Sequence, residues 1–392
     1  MGTQSLINRI KYSALLYTCY YYCGNLFINL LKIFVKCRDN RILFISFGGR
    51  RYDDSPKVIY EEMLTDQRFD SYELIWAFQN PDCFEIKRGR KIKTDTFNYF
   101  INILSARVWV TNSRVERGLN FKGKHTFYLN TWHGTPIKRM GVDIDKKNLS
   151  FRGKDRWNFT DIMLAQGRYE ADIFSRVFNI PCERFAIIGL PRNDELIANN
   201  RSDIISGLRA KIGIPSNKKV ILYAPTFREY NKDKCNNCIM TLPINVDKWS
   251  KKLGKTHILL IRAHYEVVTD MSVDNSFVIN VSAYPNLNDL MLASDILISD
   301  YSSIFFDYSI LGRPMIPYCY DYEKYSKERG MYFDIRQALC CSIENEDELI
   351  NEILNIDEER RCAIANNFRK KYIDSAGYAG KKAIELIVSK LQ

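Results

Sequence analysis

Apolar residues in this chain fall into short unbroken runs separated by polar, helix-period stretches. Arg41-Ile-Leu-Phe-Ile-Ser-Phe47 ends at Gly48-Gly49, and runs of similar length follow at 72–78, 107–111, 126–129, 162–164 and 185–188. A strand that is apolar at consecutive positions is buried on both faces, as in a parallel sheet. The segments 57–64, 96–104 and 168–178 carry helical period between them, so the alternation predicts a parallel sheet covered on both sides. Gly189-Leu-Pro-Arg-Asn-Asp194 interrupts this pattern and reads as an interdomain turn.

A second alternation then begins. Lys219-Val-Ile-Leu-Tyr-Ala224 is stopped by Pro225, and strands at 257–262, 277–281 and 295–299 follow. Helices are expected at 287–293, at 302–311 and from Asp347 onward. The expected architecture is α/β, with two doubly wound Rossmann-like domains facing a cleft (glycosyltransferase-B-like), at 39–195 and 196–392. Such sheets bind ligands at the carboxyl ends of their strands.

Residues 1–38 have another character. Tyr12–Leu31 contains no charged residue and is flanked by Arg9, Lys11, Lys32 and Lys36. Its length approaches that of a membrane span, but Ser13, Thr18, Asn25, Asn29 and five tyrosines make it a poor one. Leu6, Ile10, Leu15, Leu26, Leu30, Ile33 and Phe34 fit an aromatic, basic-ended helix lying in a membrane interface. A helix docked on the protein's own core is the alternative.

Charge supports a surface role for the first half. Residues 1–160 hold 27 Lys and Arg against 15 Asp and Glu; the remainder hold 30 against 31. The whole excess, net +11 for the chain, therefore lies in the first half, which suits an anionic membrane or a phosphorylated acceptor. No helix-turn-helix, zinc-finger or RNP-like pattern accompanies it, so nucleic acid is not expected as a partner. The 11 cysteines form no framework, and no small-residue cleavage site follows the N-terminal apolar run; both point to a reducing, cytosolic setting. Cys235-Asn-Asn-Cys238 has metal-ligand spacing but no second pair, so neither a metal nor a cofactor is expected.

Four strand-end turns carry chemistry. In Asn130-Thr-Trp-His-Gly-Thr-Pro-Ile-Lys138, His133 follows a strand, and Thr135-Pro136 reads as the start of a helix. An imidazole at a helix mouth, with Lys138 and Arg139 nearby, combines a base with an anion site. Ala224-Pro-Thr-Phe-Arg228 puts Thr226 and Arg228 just past a buried strand, and Arg262-Ala-His264 places two phosphate-binding side chains after another. Ser299-Asp-Tyr-Ser-Ser-Ile-Phe-Phe-Asp307 turns at Asp300 into a helix capped by Ser302 or Ser303, a pyrophosphate seat in physical terms; Asp307 sits one turn in. For each turn, an ordinary polar connection is the competing reading.

These turns, with Gly189-x-Pro-Arg-Asn-Asp194 and Gly330-Met-Tyr-Phe-Asp334, occur in an order that resembles the CDP-glycerol glycerophosphotransferase family, the teichoic acid primases and polymerases. The resemblance spans about residues 125–340. It implies a glycosyltransferase-B fold, peripheral at the cytoplasmic face of the bacterial cell membrane. The implied partners are a CDP-polyol donor and an acceptor that is a polyprenyl-pyrophosphate-linked glycan or a polyol-phosphate chain. His133 then corresponds to the base on the acceptor hydroxyl, Arg262 and His264 to groups near the donor phosphates, and Ser302, Ser303 and Asp307 to the donor turn. Thr226 and Arg228 are expected to join them on the donor phosphates, and Lys138 and Arg139 to lie on the acceptor side. Release of CMP separates this expectation from two rivals, a nucleotide-sugar glycosyltransferase and a non-catalytic module binding anionic glycolipid. Glycerol against ribitol, and primase against polymerase, stay open at this stage.

Overall fold

The computed structural model describes residues 13–144, 159–226, 228, 242–263 and 276–391. Contacts divide the chain into two units. The first holds the chain up to His133, Met140–Asp194 and the stretch from Asp374 onward; the second holds Gly134–Arg139 and Glu195–Ile373.

In the first unit, β1 (Arg38–Ile45), β2 (Glu73–Phe78), β3 (Arg90–Lys93), β4 (Ala106–Thr111), β5 (Phe127–Asn130), β6 (Ile162–Ala165) and β7 (Phe185–Ile187) form one sheet in the order β3-β2-β1-β4-β5-β6-β7. Every pairing is parallel. Alternation sorts each apolar run onto two faces. Ile42, Phe44, Trp76 and Val110 pack on one side with Ile59 and Met63 of the helix Asp54–Leu64. Leu43, Ile45, Ile75 and Trp109 pack on the other with Tyr99 and Ile103 of the helix Phe97–Ser105. Edge strand β3 was not expected, because Arg-Lys-Ile-Lys buries Ile92 alone and its charges read as a loop.

The second unit repeats the plan. β8 (Lys219–Ala224), β9 (His257–Ile261), β10 (Val278–Asn280), β11 (Ile296–Ser299) and β12 (Met315–Pro317) lie in the order β10-β9-β8-β11-β12, all parallel. Strand order reverses at β1/β4 in one sheet and at β8/β11 in the other, and ligand sites of such sheets lie at these points.

Residues 196–392 do not stay together as the expected division had them. From Asp374 the chain returns to the first unit. The reason is apolar: Ala383, Ile384 and Ile387 of the helix Ala379–Leu391 join the core with Ile59, Met63 and Val110. Asp194 caps this helix, its carboxylate accepting from the amides of Ala379 (2.9 Å) and Gly380 (2.8 Å).

The N-terminal helix runs Ala14–Phe34, with the Ser13 hydroxyl accepting from Leu16 N–H at its start. One side docks on the first unit. Ile28 is buried, the Tyr20 hydroxyl donates to the Arg117 carbonyl (2.8 Å), and Gly24 lies so close to Leu119 that a Cβ would come within 2.8 Å of its Cδ2. The other side is bare: Leu15, Tyr22, Leu26, Ile33 and Phe34 are each more than 60% exposed. Among the described residues, no helix is long and apolar enough to cross a membrane. The expected helical start at Leu6 and Ile10 falls outside the described residues.

Removing core volume under the C-terminal helix tests its place in the first unit. Ile387→Ala is expected to lower stability by about 2–5 kcal/mol in chemical denaturation, with the exposed Lys382→Ala as a near-neutral control. Equal stability of the two variants would mean that this helix is not part of the core.

Candidate active site

In the first unit, the turns after β1, β4 and β5 meet at the strand-order reversal. Asn112 ties them together. Its side chain accepts from Phe47 N–H (2.7 Å) and donates to the Ser46 hydroxyl (3.3 Å), while Ser113 Oγ accepts from Gly48 N–H (3.1 Å). The Asn112 carbonyl lies 2.7 Å from Nδ1 of His133. A carbonyl oxygen only accepts, so the neutral ring carries its proton on Nδ1 and its lone pair on Nε2. That is the tautomer a proton acceptor at Nε2 requires.

The ring is also fixed by packing. It stacks on Trp132 at 4.2 Å between centroids and meets Phe47 at 5.5 Å. Trp132 and Phe47 both have left-handed backbone, at φ +49° and +47°. For residues this bulky the conformation costs about 1–3 kcal/mol each, and neighbours must hold it. Phe174 and Phe178 pack on Trp132 (5.7 and 4.7 Å), and Asn130 accepts its N–H (2.9 Å).

Electrostatics tune the same ring. His133 is open to solvent at its edge, yet protein crowds it, and this partial desolvation pushes its pKa below the ordinary histidine value. The Asn112 carbonyl and Asp54 oppose that shift, whereas Arg192 and Arg50 add to it. Asp54 and Arg192 form an ion pair at 3.5 Å beside the ring. Desolvation and the two arginines both favour the neutral imidazole, the form able to take a proton.

The expected helix after Thr135-Pro136 is absent. Instead Thr135, Pro136 and Ile137 are buried in the second unit, Tyr332 N–H donates to the Ile137 carbonyl (2.8 Å), and Arg139 N–H donates to that of Gly330 (3.0 Å). Lys138 bridges to Met331. Backbone pairing with Gly330–Tyr332 has won over the local helix-start signal. Helix amides thus supply no anion site at His133; Arg50 and Arg192 are the cations near the ring. Lys138 and Arg139, expected on the acceptor side, lie in the segment grouped with the second unit.

In the second unit, the turns after β8 and β11 are bound together. Asp300 Oδ1 accepts from Thr226 N–H (2.8 Å) and from Tyr301 N–H (2.7 Å), and the Ser299 hydroxyl donates to the Ala224 carbonyl (2.6 Å). Ser302 Oγ accepts from Ile304 N–H (3.3 Å) at the entry to the helix Ile304–Ser309, a capping contact that Ser303 does not make. Asp307 is buried within that helix. Thr226 Oγ1 is buried without a hydrogen-bond partner among the described residues, an unusual condition for a hydroxyl. Arg262, at the end of β9, donates to the Tyr284 carbonyl (2.8 Å). His264, Cys235 and Cys238 lie outside the described residues, and among the described residues no His, Cys, Asp and Glu cluster suits a metal.

Arg228 departs most from expectation. Its guanidinium is 3% exposed and paired with Asp300 (2.9 Å) and Asp321 (2.8 Å). Burial opposes its charge, but the two carboxylates more than offset this and hold its pKa above the ordinary arginine range. Sequence reading missed Asn112, Asp54, Arg192 and Asp321. Asn112 follows β4 at a polar strand end that carried some signal, and Asp54 opens the helix Asp54–Leu64; Asp321, in a tyrosine-rich loop, carried none.

A doubly wound α/β protein with a neutral, backbone-oriented imidazole at one strand-order reversal and a hydroxyl-lined helix entry at the other is the class defined so far. The chain belongs to the CDP-glycerol:poly(glycerophosphate) glycerophosphotransferase family, whose model matches residues 27–388. It is 36% identical over 363 residues to a teichoic acid poly(glycerol phosphate) polymerase of Staphylococcus epidermidis, covering 85% of this chain and 49% of that protein. The chain thus spans about half the length of that relative. A teichoic acid glycerol-phosphate transferase of Staphylococcus aureus is 34% identical, over 81% of this chain and 84% of its own. Among solved structures, the wall teichoic acid polymerase TagF soaked with CDPG, as a variant, matches at a TM-score of 0.84 and 33% identity, covering 93% of this chain and 92% of the other.

One contact explains why a glycine follows the histidine. A Cβ at Gly134 would stand 2.8 Å from Ser303 Oγ. Gly134→Ala is therefore expected to cost ~1–3 kcal/mol in thermal or chemical denaturation, and most of this should vanish in a Ser303→Ala background. An undiminished cost in that background would place its cause elsewhere.

Proposed function

We propose that the protein transfers glycerol phosphate from CDP-glycerol to a hydroxyl of a teichoic-acid-type acceptor, either a lipid-linked glycan or a growing polyol-phosphate chain, releasing CMP. The observation that carries the reading is the 2.7 Å contact between His133 Nδ1 and the Asn112 carbonyl, which leaves Nε2 as the proton acceptor. His133 Nε2 takes the proton of the acceptor hydroxyl, whose oxygen attacks the phosphorus bearing glycerol. The new P–O bond forms as the P–O bond to CMP breaks. Arg50 and Arg192 favour an acceptor bearing phosphate beside the base. Ser302, Ser303, the orphan hydroxyl of Thr226, Arg262 and His264 serve the donor, and Asp307 supports that turn from within its helix. Family membership and the CDPG-soaked TagF variant support the choice of donor.

Purified protein given CDP-glycerol, CDP-ribitol and a lipid-linked disaccharide should release CMP and extend the acceptor with the glycerol donor. His133→Ala should retain donor affinity and lose ~10²–10⁴ in rate. Because the base must be neutral, activity should fall as pH drops through a His133 pKa that lies below 6.5. Asp54→Asn should move this acid limb lower still, and Arg50→Gln should move it higher. Near-normal turnover by His133→Ala, or release of a nucleoside diphosphate instead of CMP, would sink the reading.

The bare face of the helix Ala14–Phe34 supports a peripheral seat on an anionic membrane surface, where the acceptor's lipid would reside. Apolar side chains bury into the interface while Lys32 and Lys36 meet lipid headgroups, each basic residue contributing roughly 1 kcal/mol. Leu26→Glu with Ile33→Glu should abolish sedimentation with anionic vesicles while CDP-glycerol binding persists. High salt should weaken wild-type binding only in part, since apolar burial is not screened. Vesicle binding that survives the two glutamates would remove the helix from the contact.

A further inference from the structure

Arg228 is enclosed rather than offered. Its guanidinium lies 5.1, 5.1 and 4.8 Å from the ring centres of Tyr301, Tyr320 and Tyr325, and both its carboxylate partners sit in the same unit. One cation between two carboxylates is a net negative group, so it has no surplus charge for a phosphate. What the trio does hold is Tyr301, the residue that leads into Ser302. Tyr301 N–H donates to Asp300 Oδ1 (2.7 Å), and its hydroxyl donates to Asp321 Oδ1 (3.0 Å). Its ring stacks on Tyr325 at 4.0 Å and 16°. Backbone and side chain of Tyr301 are thus each tied to a carboxylate, and the two carboxylates are joined through Arg228 Nη2 and Nε.

We infer that Asp321, through Arg228 and Asp300, is a positioning residue that sets the Tyr301–Ser302 turn, so that Arg228 acts on the donor only through that turn. The inference rests on reading the turn as the donor seat. A buried ion pair of this kind is weak evidence for net stability, but here hydrogen bonds from Arg228, Thr226 N–H, Tyr301 N–H and the Tyr301 hydroxyl hold the two carboxylates in one geometry. Removing Asp321 leaves Arg228 with a single carboxylate partner and frees the phenol, and the turn then samples positions in which Ser302 misses the donor.

Calorimetric titration with CDP-glycerol tests this with five variants. Asp321→Asn should bind about tenfold more weakly than wild type, and Asp321→Glu, which keeps the charge, should recover part of the loss. Ser302→Ala should itself weaken binding, and adding Asp321→Asn to it should cause little further loss, because both changes disable one turn. Where Asp321→Asn does not fold by circular dichroism, Tyr301→Phe, which removes only the hydroxyl, carries the same comparison. Wild-type affinity in Asp321→Asn and Tyr301→Phe, or losses that add in full to that of Ser302→Ala, would overturn the brace while leaving the donor reading intact. Wild-type protein that ignores CDP-glycerol would overturn both.

Discussion

Because every strand pairs in parallel with its neighbours, each unit must return its chain across the sheet before adding the next strand, and all strand ends of one sense gather along a single edge. Those edges carry the polar turns. At β1, β4 and β5 they hold Phe47, Asn112 and His133; at β8 and β11 they hold Thr226 and Asp300. The buried stretches of the central strands are largely apolar, since helices cover both faces, so polar side chains concentrate toward strand ends. The site is in this sense a consequence of the sheet.

Local strain and local charge are both balanced by neighbours. Trp132 and Phe47 adopt backbone angles they would avoid alone, and aromatic packing and the Asn112 and Asn130 side chains hold them there. His133 is made less basic by crowding and by Arg192 and Arg50, while Asp54 limits the shift. Asp300 and Asp321 compensate the buried charge of Arg228. In each case the group of interest is chemically ordinary and its environment decides what it can do.

Membership of the glycerophosphotransferase family and a TM-score of 0.84 to TagF agree with the fold of two parallel sheets. The N-terminal helix adds a feature outside both sheets. A row of exposed Leu, Ile, Phe and Tyr on one side, with Ile28 and Gly24 docked on the other, is costly in water. The proposed seat on an anionic surface would cover that face.

Sequence alone determined the two α/β alternations and the strand-end positions of His133, Thr226, Arg262 and Ser302, because continuous apolar runs and the polar turns ending them are local signals. It also identified the family, through the order of its motifs. Tertiary structure decided what local signals could not carry. Thr135-Pro136 reads as a helix start, yet pairing with Gly330–Tyr332 draws it extended into the second unit. The helix Ala379–Leu391 follows the second alternation in sequence, yet its apolar face completes the first core. Arg228 reads as a phosphate ligand until Asp321, 93 residues further on, is seen to occupy it. Pattern specifies which residues are buried; which distant partner meets them there depends on contacts between segments far apart in the chain.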